Sequence, residues 1–256
     1  MIHPLAIVDD RAKLAADVEV GPWSYIGPDV EIDSGTVVAS HVVIKGPCRI
    51  GKHNQIFQFA TVGEACQDKK YKGEPTRLEI GDYNVIREGC TLHRGTVQDQ
   101  GVTRIGSHNL LMAYVHVAHD CVVGDHTIIA NNAALAGHVH VGDWAILGGL
   151  TGVHQFCHIG AHAMLGAGSV VLKDVPAYIM ANGNTAKPHG INVEGLKRRG
   201  FSTEAISVLR QAYKVIYRQG LTVEQALARL QPQLTDTPEL GLLLDSLRLS
   251  SRGIVR

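Results

Sequence analysis

An aliphatic residue falls on every sixth position through most of this chain. It stands at Val8, Leu14, Val20, Ile26, Ile32, Val38, Ile44, Ile50, Ile56 and Val62, and returns at Ile80, Ile86 and Leu92. Shifted by one, the beat then runs unbroken from Ile105 to Val171, which makes twenty-five hexads. A helix repeats near 3.6 residues and a half-buried strand every second residue, so neither explains a spacing of six. Each unit is too short to bury its apolar residue alone and does so only by stacking on its neighbours, which predicts a parallel β-helix. Three hexads close one triangular coil of eighteen residues. Coils stack at about 4.8 Å, so some eight of them form a prism about 40 Å long.

Glycine often follows the beat, as at Gly21, Gly27, Gly51, Gly81, Gly106, Gly124, Gly142 and Gly160. A sharp corner every six residues predicts that these glycines carry its unusual backbone angles. Two residues before the beat the slot is small, and Cys48, Cys90, Cys121 and Cys157 share it with Ala60, Ala133 and Ala145. Strand side chains alternate faces, so these cysteines read as core fillers and not as disulfides or ligands.

The beat is interrupted at residues 66–77 (CQDKKYKGEPTR) and 94–103 (RGTVQDQGVT), the second carrying the change of phase. Insertions in solenoids loop out from one face, often the binding face. The chain divides into a coil domain, 1–190, and a helical domain, 191–256, where the period changes. Ser202 can cap a helix bearing Ile206, Leu209, Tyr213 and Ile216 on one face and stopped at Gly220. Thr222 and Gln225 form a capping-box pattern opening a second helix, and 239–251 read as a third.

Charge is balanced at 24 basic against 24 acidic residues, which argues against nucleic acid as a partner. From residue 192 onward ten basic residues face six acidic ones, an excess that suits an acidic protein partner docking on the helices. No apolar run reaches the roughly 18 residues that span a bilayer, and MIHPLAIVDD lacks a secretion-signal layout, so a cytoplasmic location is expected.

Fourteen histidines are present, ten of them between His93 and His162. His116, His140 and His158 precede a beat and face outward, His93 and His154 directly follow one, and His119 alone sits two after. Residues eighteen apart share a column, which aligns His119 with Gly137 and Gln155, and Asp120 with His138. An imidazole held by a carboxylate is a suitable general base near neutral pH, and a glycine N–H nearby can donate to a developing oxyanion. A lone outward histidine is ordinarily solvated surface, and that reading is taken for His3, His41, His53, His108 and His126. A zinc site stays open as an alternative, since three histidines on such a prism can hold the metal at a subunit interface. A non-catalytic scaffold is another, although such solenoids carry a threonine ladder that this chain lacks.

The hexads resemble those of the left-handed β-helix acyltransferases. The segments QDKKYKGEPTR, IREGCTLHRGTV, HVAHDCVVG, NNAALAGHV, GVHQFCHIGAH and INVEGLKRRGFS are similar to the UDP-N-acetylglucosamine O-acyltransferases, over essentially the whole chain. The resemblance implies an all-β left-handed parallel β-helix followed by a small α-helical C-terminal domain. It implies transfer of an (R)-3-hydroxyacyl group to the 3-hydroxyl of UDP-N-acetylglucosamine, the first step of lipid A synthesis. The donor is acyl carrier protein with its phosphopantetheine arm; no metal or other cofactor is implied. The sibling N-acyltransferase of that pathway is the nearest alternative, but it carries an additional N-terminal domain, whereas here the hexads begin by residue 8.

Carried over by motif, His119 is the general base, Asp120 orients it and Gly137 supplies the oxyanion N–H. His93, His116, His138 and His154 line the cleft, Gln155 contacts the nucleotide sugar, and Asp68 and Lys70 hold the sugar and acyl chain. Asn192, Glu194, Arg198 and Arg199 bind the uridine diphosphate. The resemblance also implies a homotrimer with sites between coil domains. Ala167, in IGAHAMLGAGS, matches the position that sets acyl length, where glycine admits longer chains and bulk shortens them.

Overall fold

The computed structural model describes residues 1–256. Twenty-five short strands, β1 (Ile7–Val8) to β25 (Val170–Val171), each end on the aliphatic residue of one hexad, except where β10 and β13 run on by one or two residues. Each strand up to β22 pairs in parallel with the strand three further along, which gives three sheets of nine, eight and ten strands, the last completed by C-terminal strands. The result is a left-handed parallel β-helix of triangular section. Register follows the eighteen-residue step, as in Val117↔Leu135↔Val153. The two insertions stretch single coils: Val62 pairs with Leu92 and Leu92 with Val117. The beat residues and all five cysteines are buried or nearly so, and no cysteine is bridged.

The corners correct the reading of the glycines. The left-handed backbone angle falls three residues after the beat, almost always on a residue with a side chain: φ is 58° at Trp23, 57° at His41, 58° at Asp120 and 62° at His138. Such an angle costs on the order of 1 kcal/mol in a non-glycine residue. Here it aims the side chain off the corner, where rings stack from coil to coil. His53, Tyr83, His108, His126 and Trp144 form one such column, with neighbouring ring centroids 4.1 to 5.0 Å apart. Aromatic contacts of this kind contribute about 0.5–1.5 kcal/mol each, enough to offset the backbone cost. His3, His41, His53 and His108 are exposed as expected, but His41, His53, His108 and the half-buried His126 also stack on neighbouring rings. Glycine after the beat answers a different demand: a Cβ on Gly81 would lie 2.8 Å from the Gly106 carbonyl carbon of the next coil.

One buried column is polar. Asn54, Asn84, Asn109 and Thr127 occupy the slot two before the beat. Each asparagine carbonyl accepts from the backbone N–H of the next column member, and each amide donates to a corner glycine carbonyl: Gly81, Gly106 and Gly124. Their buried polar atoms are thereby satisfied.

After β25 the chain forms a hairpin, β26 (Ile179–Asn182) and β27 (Lys187–Ile191), and then four helices: α1 (Val193–Arg198), α2 (Thr203–Arg218), α3 (Val223–Leu230) and α4 (Leu240–Leu249). Ser202 caps α2, and Thr222 with Gln225 closes a capping box on α3. The short α1, stopped within two turns, has no apolar period in the sequence. The tail is tied back to the prism at Asp174, whose buried carboxylate accepts from Ser250 Oγ at 2.7 Å and from the His158 N–H at 2.8 Å.

Candidate active site

His119 follows β16 (His116–Val117) by two residues, at the corner between the nine-stranded and eight-stranded sheets. Asp120 occupies the left-handed position itself, an angle that Asp tolerates better than most residues. That backbone turns its carboxylate inward, so the Asp120 side chain is 1% exposed while His119 keeps 15%. His119 Nδ1 lies 2.9 Å from Asp120 Oδ2. With the carboxylate accepting there, the proton sits on Nδ1 and the lone pair on Nε2.

The eighteen-residue columns hold. The His138 N–H donates to the His119 carbonyl and the Phe156 N–H to the Gly137 carbonyl. Gly137 sits against the imidazole: a Cβ there would fall 2.4 Å from His119 Cε1 and 2.6 Å from Nε2. The Gly137 N–H donates to no backbone carbonyl. The His138 ring stands edge-on to His119 at 5.0 Å and stacks on Phe156 at 4.3 Å.

Residues 94–103 cover this patch and add groups that the repeat frame does not reach. The Thr96 N–H donates to Asp120 Oδ1 at 2.9 Å and its hydroxyl to Oδ2 at 2.6 Å. The Asp120 N–H donates to Thr103 Oγ1 at 2.8 Å. Asp99 Oδ2 lies 2.9 Å from His138 Nδ1, which is 3.9 Å from Asp120. An inserted loop has no place in the hexad lattice, so its position beside the histidines was the only signal of these contacts.

Burial alone would raise the Asp120 carboxyl, but hydrogen bonds from His119 and Thr96 outweigh it and hold the group below the usual carboxylate range. Burial pushes His93 and His116 down, toward the neutral form. Their rings meet edge-on at 5.2 Å, His93 Nδ1 faces the Ala65 carbonyl at 2.9 Å, and His116 Nδ1 faces Thr91 Oγ1 at 2.7 Å. His119, Asp120 and His138 also offer three ligand atoms within 4.8 Å of one another. In both rings Nδ1 faces a carboxylate, at 2.9 Å in each case.

The remaining candidates divide by corner. Asp68 lies in the first insertion, its carboxylate accepting from the Lys70 N–H at 2.9 Å. Burial raises the Cys66 thiol at the base of that insertion, against a hydrogen bond from the Asp68 N–H that lowers it. His154 and Gln155 are exposed above Gly137. Asn192, Glu194, Arg198 and Arg199 are not brought to His119; they gather at the next corner, beside Trp144 and His162. Asn192 is buried, caps α1 and donates to the His162 carbonyl. Arg199 lies over the Trp144 ring at 5.2 Å and donates to the Trp144 carbonyl. Burial, and then Arg199, push His162 down to about 4. Glu194 pairs with Lys197, and Arg198 is exposed. Ala167 is exposed at the third corner, which leads into the nine-stranded sheet.

Residues 174–255 match the profile of a family described as UDP-N-acetylglucosamine O-acyltransferase, domain 2, and residues 11–46 and 103–137 match the bacterial transferase hexapeptide family. The chain is 64% identical over 255 residues to the acyl-acyl-carrier-protein–UDP-N-acetylglucosamine O-acyltransferase of Saccharophagus degradans and 62% identical to that of Stutzerimonas stutzeri, covering 100% of this chain and 99% of each relative. Among solved structures, LpxA from Acinetobacter baumannii is similar at 58% identity and a TM-score of 0.98, and the enzyme from Moraxella catarrhalis at 52% and 0.99. Both alignments cover 100% of this chain and 99% of the other. With relatives this similar over its full length, the chain belongs to the UDP-N-acetylglucosamine O-acyltransferase family.

Proposed function

We propose that this protein transfers an (R)-3-hydroxyacyl chain from acyl carrier protein to the 3-hydroxyl of UDP-N-acetylglucosamine, the opening step of lipid A synthesis. His119 Nε2 takes the proton of the sugar 3-hydroxyl as its oxygen attacks the thioester carbonyl carbon. The Gly137 N–H, free of backbone partners and against the same ring, donates to the oxyanion. Collapse breaks the C–S bond, and the protonated His119 returns its proton to the departing pantetheine thiolate. The acyl group passes directly between substrates, with no acyl-enzyme. The single observation that carries this reading is the His119–Asp120 pair at 2.9 Å with Nε2 turned toward Gly137.

Asp68, Lys70, His93, His116, His138, His154 and Gln155 hold the sugar and the acyl arm around this pair. A shallow groove of about 420 Å³ crosses the outer face of the nine-stranded sheet past His116, Ala134, Gly152 and Val170, and suits an alkyl chain. Ala167 stands at the corner from which that face begins. Glu194, Arg198 and Arg199 bind the uridine diphosphate, with Asn192 shaping their helix; the forked guanidinium suits phosphate. Because these residues lie at a different corner from His119, a complete site joins two chains, which supports a homotrimer. No helix is long and apolar enough to cross a membrane, and the nature of both substrates supports a cytoplasmic reaction.

The test is His119→Ala assayed for acyl transfer to UDP-N-acetylglucosamine. A positioned general base contributes roughly 10²–10⁴-fold, so kcat is expected to fall by that factor. A loss smaller than about tenfold would remove His119 from the role.

A further inference from the structure

Thr96 is 1% exposed, and both of its polar hydrogens point at one carboxylate. The N–H takes Asp120 Oδ1 and the hydroxyl takes Oδ2, the oxygen that also receives His119 Nδ1. Thr103, fully buried at the other end of the insertion, accepts the Asp120 N–H. One interruption of the hexads thus holds Asp120 by side chain at its start and by backbone at its end. We propose that Thr96 is the positioning residue of the catalytic pair, fixing the Asp120 carboxylate so that His119 presents Nε2 to the sugar hydroxyl. The assignment rests on His119 being the base.

The physical ground is the count of donors. Asp120 turns inward into a site where its carboxylate can be held only by hydrogen bonds, and two of the three it receives come from Thr96. The charged and titratable groups facing it are His119 on its own corner, His138 on the next coil with Asp99 behind that ring, and Cys66 from the first insertion. His93 and His116 meet edge-on at 5.2 Å and are pushed toward the neutral form by burial. Of these groups only His119 lies within hydrogen-bond distance of the carboxylate, and its bond adds to the 2.6 Å bond from the Thr96 hydroxyl without replacing it. Removing that donor frees the carboxylate to rotate and lets it protonate at higher pH. The imidazole then loses its fixed orientation, and misplacement on the order of 1 Å is enough to cost about 10²-fold in rate.

Thr96→Val keeps the size and the backbone N–H and removes only the hydroxyl, while Thr96→Ser keeps the hydroxyl. The valine variant is expected to lower kcat roughly 10- to 100-fold with KM for the nucleotide sugar within about twofold. The acid limb of its kcat profile moves to higher pH, and Thr96→Ser restores both rate and limb. Groups that act through one another are non-additive, so Thr96→Val has no further effect in an Asp120→Ala background. A wild-type kcat and limb in Thr96→Val, or the same cost with Asp120 absent, overturns the assignment. Should the valine variant not fold, Thr96→Ala removes the hydroxyl without placing a methyl against the carboxylate, and an unmoved limb there overturns it equally. His119→Ala separates the two levels: if it stays active the base itself is wrong, whereas an inactive His119→Ala beside an unaffected Thr96→Val sinks only the role of Thr96.

Discussion

At the scale of single residues, the proposed acyl-length position, Ala167, differs from glycine by one methyl group. Ala167 is exposed at the corner where the chain enters the nine-stranded sheet, while His119 leaves that sheet at the opposite corner. Between them the outer face is kept low by Ala134 and Gly152, and a Cβ on Gly152 would meet nothing. A methylene added to or removed from an apolar groove is worth about 1–3 kcal/mol, roughly 10- to 200-fold in discrimination. The alanine methyl is therefore expected to favour chains of about ten to twelve carbons over longer ones. Turnover measured across a ladder of 3-hydroxyacyl carrier proteins checks this, and a clear preference for the longest chain defeats it. The placing of His119 beside Gly137 and of Asp120 beside His138 was legible in the sequence, because an eighteen-residue step is all the alignment needs. Thr96, Thr103 and Asp99 were not, because their contacts depend on how an irregular loop folds back, and no period encodes that.

At the scale of elements, α2 presents Arg210, Lys214 and Arg218 on one exposed face at four-residue spacing. With His189 from β27 they line a cavity of about 870 Å³ between helix and hairpin. A cationic stripe without carboxylates among its lining residues suits an acidic carrier protein, and such charges act mainly on encounter rate. Lys214→Glu is expected to raise KM for the acyl carrier protein by several-fold to about tenfold, more at low salt, and to leave KM for UDP-N-acetylglucosamine unchanged. A steady-state assay at two ionic strengths decides it, and equal changes in both KM values would place the partner elsewhere. The elements themselves were legible wherever a period or a cap marks them: the hexads, the Ser202 start of α2 and the Thr222–Gln225 box of α3. The corner chemistry is ambiguous in sequence, since glycine signals both freedom of backbone angle and absence of a Cβ. Here the neighbouring coil demands the second. The asparagine column is hidden in sequence for a related reason: asparagine marks turns in most chains, but stacked coils let its amide serve the next coil's backbone.

At the scale of the whole molecule, the proposed site residues of one chain stand at two different corners of the prism, so the proposed site joins two chains. His119, Asp120 and Gly137 stand at the corner after the nine-stranded sheet, while Arg198, Arg199 and the α1 N-terminus stand at the corner after the eight-stranded one. Within a chain the prism core separates them. A three-fold assembly of parallel prisms brings the first corner of one protomer against the second corner of the next, and by symmetry does so three times. Complementation between inactive chains follows. Homogeneous His119→Ala lacks the proposed base at every site, and homogeneous Arg198→Ala, an exposed substitution that leaves the Arg199–Trp144 packing alone, lacks the proposed phosphate contact at every site. When the two chains are co-expressed, each mixed trimer has one junction at which an intact His119 faces an intact Arg198, so about a third of its sites regain both groups. Doubly tagged trimers purified from the mixture are expected to turn over at roughly a third of the wild-type rate, far above either parent. If base and phosphate contacts came from the same chain, mixing would rescue nothing, because every chain would carry one defect in its own site. Mixed trimers no more active than their parents would therefore return the whole site to a single protomer.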